Sequence, residues 1–366
     1  MSVNSWIKAL VDAIRAAVVR RQTNADRPTT TEADDRAYVQ NLYRVVLQRE
    51  PAETEIAHWV AILRRGGSDR EVFNRILTSG EYKARNKILP GHPIGHYYSP
   101  IVDPDEARKY ARIDYGISPE KILGVRISLS EMQEVWGRLS AFVKSSDFPM
   151  NKESRCRYYA INEIFPIGDA AILRAMILLN KPRRIIEIGS GFSSACMLDT
   201  LDEAQMADTR LTFIEPDPQR LRELLRRSDT KRCTLIEKPV QAVDPRIFEE
   251  LQQNDILFID STHVMKTGSD VNFELFQALP RLRQGVLIHF HDIQYPFEYP
   301  NEWVYNRKYS WNEIYGLRAF LMYNSDFAIE FFNSLFIGRH RDLIEKTYAP
   351  ILKNPGASIW IRKLRQ

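Results

Sequence analysis

The segment Arg184–Cys196, reading Arg-Ile-Ile-Glu-Ile-Gly-Ser-Gly-Phe-Ser-Ser-Ala-Cys, limits the folds open to this chain more than any other. A short apolar run passes an acid, Glu187, and enters a turn built on two glycines, after which Ser193 and Ser194 open a helix-like stretch. Strand, glycine turn and helix in that order belong to an α/β sheet that binds a nucleotide-like ligand beyond its strand ends. Gly189 and Gly191, with Ser190 between them, let the backbone turn tightly and approach a ligand that any Cβ would block.

The acid separates the candidate ligands. A dinucleotide turn reads GxGxxG after a strand with an apolar end and aims its helix at a pyrophosphate. Here the third glycine falls on Ser194, and a carboxylate at Glu187 suits a cationic cofactor better than a diphosphate. S-adenosylmethionine is such a cofactor. The next apolar run, Leu211-Thr-Phe-Ile-Glu-Pro216, ends in Glu215, 28 residues after Glu187, where a carboxylate can accept both ribose hydroxyls.

Composition narrows the partners. The 366 residues exceed one typical domain, and 44% hydrophobic content is ample for a packed core. Cys156, Cys196 and Cys233 are odd in number and far apart, which argues against a disulfide framework or a zinc site and fits a reducing cytoplasm. The net charge of +4 is concentrated in residues 1–21, which hold four basic residues against one acid, and no basic cluster marks the remainder, so nucleic acid is not expected. No apolar run is long enough to span a bilayer.

The chain divides into modules. Ile7, Leu10, Ile14 and Val18 form one face of an amphipathic helix with basic residues around the rest. It is expected to dock on the protein itself or on a dimer mate, with a partner or an anionic membrane surface as the alternatives. A linker, Gln22–Thr31, follows. Apolar spacing then predicts three helices within a domain spanning 28–88, the third opened by the capping box Ser68-Asp-Arg-Glu71. A Pro/Gly/His-rich stretch, Leu89–Pro104, begins a connector running to 149 that reads as mostly helical. From 150, apolar runs near 184–188, 211–215, 233–237, 255–260 and 285–290 alternate with helical patterns, as in a doubly wound parallel sheet. Runs at 327–332 and 358–362 are expected to complete it as a hairpin-like edge.

The strand ends carry the chemistry. Asp255-Ile-Leu-Phe-Ile-Asp260 is followed by Ser-Thr-His263, and Gly285-Val-Leu-Ile-His-Phe-His-Asp292 closes on His291-Asp292. Asp260, His291 and Asp292 at neighbouring ends make an open divalent-metal site, oxygen ligands favouring Mg²⁺ and the imidazole favouring Mn²⁺. The plain alternative is a helix cap, a buried histidine and a loop start. His263 is the candidate general base, close enough to accept the proton of a hydroxyl bound beside Asp260. His289 faces the other way along its strand, as core. Aromatics in 293–313 form a loop suited to flat substrate faces such as sugar rings, or to ordinary packing.

These motifs, in order and at suitable distances, resemble class I S-adenosylmethionine-dependent methyltransferases over residues 150–366. The Asp-x-x-His element and the His-Asp strand end are similar to the metal-dependent O-methyltransferases, both the catechol type and those acting on macrolide sugars. The resemblance implies a Rossmann-like seven-stranded sheet, Asp260 and Asp292 as metal ligands, and His263 as base. It also implies that Gly168 and Asp169 lie near the methionine end of the cofactor, with Gln241 near its adenine. Two departures stand out: Ser193 replaces the family's third loop glycine, and His291-Asp292 replaces Asp-Asn. The pattern at 38–51, Trp59 and 76–82 resembles a small helical domain of unknown function found in bacterial proteins linked to cell surfaces and glycans. The expected activity is methyl transfer to a hydroxyl of a small molecule or glycan by a cytoplasmic or membrane-peripheral protein that forms a homo-oligomer. A catalytically silent scaffold of the same fold is the alternative.

Overall fold

A computed structural model of the chain describes residues 31–47, 49–85, 98–111 and 113–365, in two compact units divided at Ser99 and Pro100. The amphipathic helix expected before residue 22 and the expected connector residues 89–97 lie outside the described residues.

The first unit is helical. Thr31 caps the helix Glu32–Leu42 through a reciprocal box with Asp34, and the chain continues as a wider turn, Tyr43–Leu47. Helices Glu53–Arg64, Asp69–Leu77 and Gly80–Arg85 follow. The Ser68 hydroxyl accepts from the Glu71 amide at 3.2 Å, as the capping motif predicts. Val39, Leu42, Ile56, Val60 and Ile76 meet in a separate core. The motif residues meet as well: Trp59 Nε1 donates to the Tyr43 hydroxyl at 2.9 Å, and the Arg49 guanidinium bonds both Glu55 and Glu81 at 2.6 Å. A forked cation between two acids suits a domain too small to rely on apolar burial alone.

The second unit holds the sheet. Strands β1 (Arg184–Ile188), β2 (Arg210–Ile214), β3 (Cys233–Ile236), β4 (Ile256–Ile259), β5 (Leu287–His291), β6 (Phe327–Phe332) and β7 (Ser358–Lys363) lie in the order 3-2-1-4-5-7-6. The first five are parallel, and β7 runs antiparallel between β5 and β6. Central strands covered on both faces need continuous apolar runs, and every residue of β4 and β5 is buried. On the edge strand β6, burial alternates over the first four residues. The order reverses between β1 and β4, which opens a crevice at their C-terminal ends.

One expectation needs correction. Residues 100–150 belong to the second unit, and Val135, Trp136 and Leu139 of helix Leu129–Lys144 enter its core. The helices of that stretch are also interrupted rather than continuous. Helix Pro104–Tyr110 and a single turn at Pro119–Lys121 are separated from Leu129–Lys144 by irregular backbone. The local reasons are an Asp114 side chain accepting from the Gly116 amide, Pro119, and Gly124 at φ +78°.

Helix Ile167–Asn180 precedes β1 and is locked to the β7 end of the sheet. The buried Asp169 carboxylate accepts from Asn333 Nδ2 at 2.8 Å, the Ala357 amide at 2.9 Å and the Ser358 hydroxyl at 2.5 Å. Gly168 donates to the Asn354 carbonyl at 3.0 Å, and a Cβ there would stand 2.2 Å from the Pro355 carbonyl oxygen. We therefore expect Gly168→Ala to lower the stability of this unit by about 1–3 kcal/mol through overpacking. Asp169→Ala, which strands three donors, should cost at least about 2 kcal/mol. Thermal or urea unfolding of the full chain reads both, and an unshifted transition would show the lock to be dispensable.

Candidate active site at the switch point

The glycine turn is fixed from three sides. Gly189 has φ +78°, its amide donates to the Ile214 carbonyl at 3.0 Å, and an added Cβ would lie 1.8 Å from the Asp260 carbonyl oxygen. The glycine is thus required by the backbone of β4 before any ligand is considered. Glu215, leaving β2, accepts from the Ser190 amide at 3.0 Å and the Asp217 amide at 2.8 Å, so the expected ribose acceptor also braces the turn. Ser190, Glu215, Asp217, Gln219, Arg220 and Glu223 border a cleft of about 450 Å³ beside it. Gly191 opens the helix Phe192–Glu203, and its Cα faces the Arg220 side chain.

Glu187 is fully buried. Its carboxylate accepts from the Ser193 hydroxyl at 2.5 Å and from the Ser194 hydroxyl, and Ser194 in turn accepts from the Gly191 amide at 3.0 Å. Both serines therefore anchor the first turn of the helix to the strand. Burial pushes the Glu187 carboxyl up to about 8, with the serines pulling the other way.

Gly168 and Asp169 are absorbed in the β7 lock. Gln241 is exposed and donates to the Gly268 carbonyl at 3.0 Å.

Beyond β4 and β5 the expected chemical residues do converge. Ligand atoms of Asp260, His291 and Asp292 lie within 4.8 Å of one another. The His263 Nε2 is 3.5 Å from carboxylate oxygens of both Asp260 and Asp292, and the His291 Nε2 is 3.7 Å from Asp292. His263 and Asp292 have φ of +60° and +55°, the left-handed region that non-glycine residues adopt only under constraint. Burial pulls the His263 imidazole down, but hydrogen bonds to Asp260 and Glu313 outweigh it and hold the ring well above its usual value. For His291, burial is outweighed by Asp260, Asp292 and Asp169, which raise it. Burial raises Asp260, but the two histidines more than offset this, so it titrates low; at Asp292 burial prevails and the carboxyl is raised. A pocket with this surplus of carboxylates fits a divalent cation.

His289 stacks on Phe258 at 3.9 Å and touches Trp360; neither ring nitrogen has a hydrogen-bond partner among the described residues. Burial, followed by the nearby His291, pulls it well down, so it is neutral core.

What holds His263 is not written in the local sequence. Ser261, Thr262 and His263 each engage a different acid: Glu274 at 3.2 Å, Asp270 at 2.7 Å and Glu313 at 2.7 Å. Trp311 covers the imidazole with ring centroids 4.5 Å apart, Tyr309 stacks on Trp311 at 4.3 Å, and Trp303 lies at 5.5 Å. The aromatic run hinted at a wall, but no local pattern pairs Glu313 with His263 across 50 residues.

The buried Glu187 generates a pH dependence. Its folded value of about 8 exceeds the ordinary 4.5, so between them the folded state keeps a proton that the unfolded state releases. Stability from this group is therefore present below the ordinary value and declines as pH rises through the folded one. We expect the difference in urea midpoint between wild type and Glu187→Gln to shrink steadily from pH 5 to pH 8. A constant difference would show that Glu187 is ionised throughout.

Residues 23–86 match the profile of a domain of unknown function (DUF4214), and residues 186–293 that of a methyltransferase domain. An uncharacterized protein of Archaeoglobus fulgidus is 33% identical over 194 residues, 51% of this chain and 85% of that protein. Among solved structures, a methyltransferase of Podospora anserina bound to SAH is 15% identical, with a TM-score of 0.37 over 75% of this chain and 99% of that one. An O-methyltransferase of Bacillus cereus in complex with SAH is 14% identical, with a TM-score of 0.35 over 71% and 96%. The methyltransferase match begins two residues into β1 and ends just past Asp292. It thus spans the glycine turn and the convergent strand ends, and on that ground the chain belongs to the class I S-adenosylmethionine-dependent methyltransferases.

Proposed function

We propose that this protein is an O-methyltransferase that acts on a hydroxyl of a sugar or glycan, with a divalent cation held by Asp260, His291 and Asp292. The observation that carries the reading is the position of His263 Nε2, 3.5 Å from each of the two aspartates: a proton acceptor directly beside the candidate cation site. A cation bound there would supply positive charge that makes an acceptor hydroxyl more acidic. His263 takes the hydroxyl proton as the oxygen bonds to the methyl carbon and the carbon–sulfur bond of the sulfonium breaks, leaving S-adenosylhomocysteine. Holding donor and acceptor in line supplies much of the remaining acceleration.

For the cofactor, the cleft beside Ser190 and Glu215 is the proposed ribose site, and the backbone at Gly189 and Gly191 the close approach. Glu187 acts there through Ser193 and Ser194. Gly168 and Asp169 bound the methionine side through the lock to β7, and Gln241 the adenine side. The aromatic wall of Trp311, Tyr309 and Trp303 supports a sugar acceptor, since flat ring faces pair with the apolar faces of pyranoses. Among the described residues no helix is long and apolar enough to cross a membrane.

Calorimetric titration with S-adenosylhomocysteine, with and without Mg²⁺ or Mn²⁺, tests the cofactor site. Micromolar binding is expected, and no binding under either condition would favour a silent scaffold. Mn²⁺ affinity should fall at least about tenfold in Asp260→Asn and Asp292→Asn, a loss of the size that removal of supporting groups alone produces. Affinity equal to wild type would remove the cation from the reading. With an acceptor in hand, His263→Ala should lower kcat by about 10²-fold or more while S-adenosylhomocysteine binding persists.

A further inference from the structure

We infer that Glu313 is a positioning residue for His263: its carboxylate holds the imidazole through Nδ1, so that Nε2 faces Asp260 and Asp292. The inference rests on the reading of His263 as proton acceptor given above. Glu313 Oε2 lies 2.7 Å from Nδ1, and the side chain is 1% exposed.

Several constraints meet on this one ring. Trp311 packs over it, and the amides of Asn312 and Glu313 donate to the His263 carbonyl at 3.0 and 3.2 Å. The Asn312 side chain accepts from the Met265 amide at 2.5 Å and donates to the Met265 carbonyl at 3.2 Å. Residues 311–313 and 263–265 are therefore zipped together, and the left-handed backbone of His263 is held by that pairing. The stretch just before the ring is pinned too, through Ser261 to Glu274 and Thr262 to Asp270.

Imidazole chemistry makes the carboxylate informative. A neutral histidine carries its proton on one nitrogen and a lone pair on the other, and an ionised carboxylate can only accept. With a cation offsetting the charge of Asp260 and Asp292 that otherwise favours the imidazolium, Glu313 selects the form with the proton on Nδ1 and leaves the Nε2 lone pair for a substrate hydroxyl, much as carboxylates orient histidines at metal sites. The remaining oxygen, Oε1, is buried with no hydrogen-bond partner among the described residues. A buried carboxylate with one unsatisfied oxygen is costly, and among the described residues Glu313 makes no other side-chain hydrogen bond that would offset it.

The test uses the full chain labelled with ¹⁵N-histidine, in the presence of S-adenosylhomocysteine and Mg²⁺. The His263 signals are assigned by their loss in His263→Gln. We expect Nδ1 to be protonated in wild type and in Glu313→Gln, whose amide oxygen can still accept. In Glu313→Leu, which has similar bulk and no acceptor, Nδ1 protonation should give way to a mixture or to the Nε2–H form. An unprotonated Nδ1 in wild type, or unchanged spectra in a folded Glu313→Leu, would overturn the assignment. Should Glu313→Leu fail to fold, the wild-type and Glu313→Gln spectra decide alone. The same samples are titrated with S-adenosylhomocysteine: Glu313→Leu should bind within about twofold of wild type, because Glu313 is separate from the cofactor cleft. Wild type that fails to bind would sink the methyl-transfer reading, while the spectra would still decide whether Glu313 sets the ring.

Discussion

The site depends on one close approach, the backbone of Gly189 against the carbonyl of Asp260, with no room for a Cβ. That contact ties the first residue beyond β1 to the first beyond β4, at the point where the strand order reverses. Everything chemical hangs from it. The glycine turn leads to the helix anchored by Ser193 and Ser194, and the Asp260 end leads to His263. The glycine turn and His263 are held in register by main chain, which moves less than side chains do.

Around that contact the protein gathers more negative charge than it neutralises. Asp169, Asp260, Asp292 and Glu313 surround the two imidazoles of His263 and His291. Buried carboxylates are expensive unless paired, and such a surplus is what a cation site looks like before the cation is counted. The acids divide by placement. Glu313 and Asp169 are buried and bonded to fixed protein groups, while Asp260 and Asp292 are part-buried and face one another across His263. The first pair is committed to protein groups, and the second stays partly accessible.

Much of this was legible in the sequence because buried parallel strands write themselves as uninterrupted apolar runs. All seven strands fall where those runs lie, and Asp260, His263, His291 and Asp292 come together because residues just past neighbouring strand ends must. What was not legible depends on side-chain direction and on distant segments. Glu187 reads as a cofactor ligand by position, yet its carboxylate turns inward to two serines. Asp169 reads as a cofactor neighbour or a cap, yet it bonds residues 333, 357 and 358. Helix Leu129–Lys144 reads as part of a connector because its amphipathic pattern does not say which core it enters.

The placement of β7 sets the order in which this sheet can be assembled. Among the described residues strand β6 pairs only with β7, and β7 is inserted between β6 and β5, so an earlier segment waits for a later one. During synthesis the five parallel strands can pair as they emerge, but β6 has no neighbour, and Asp169 has none of its three donors, until the residues after 330 have left the ribosome. The nascent chain therefore carries an open edge at β5 and an Asp169 without its donors together, and residues 333–363 close both.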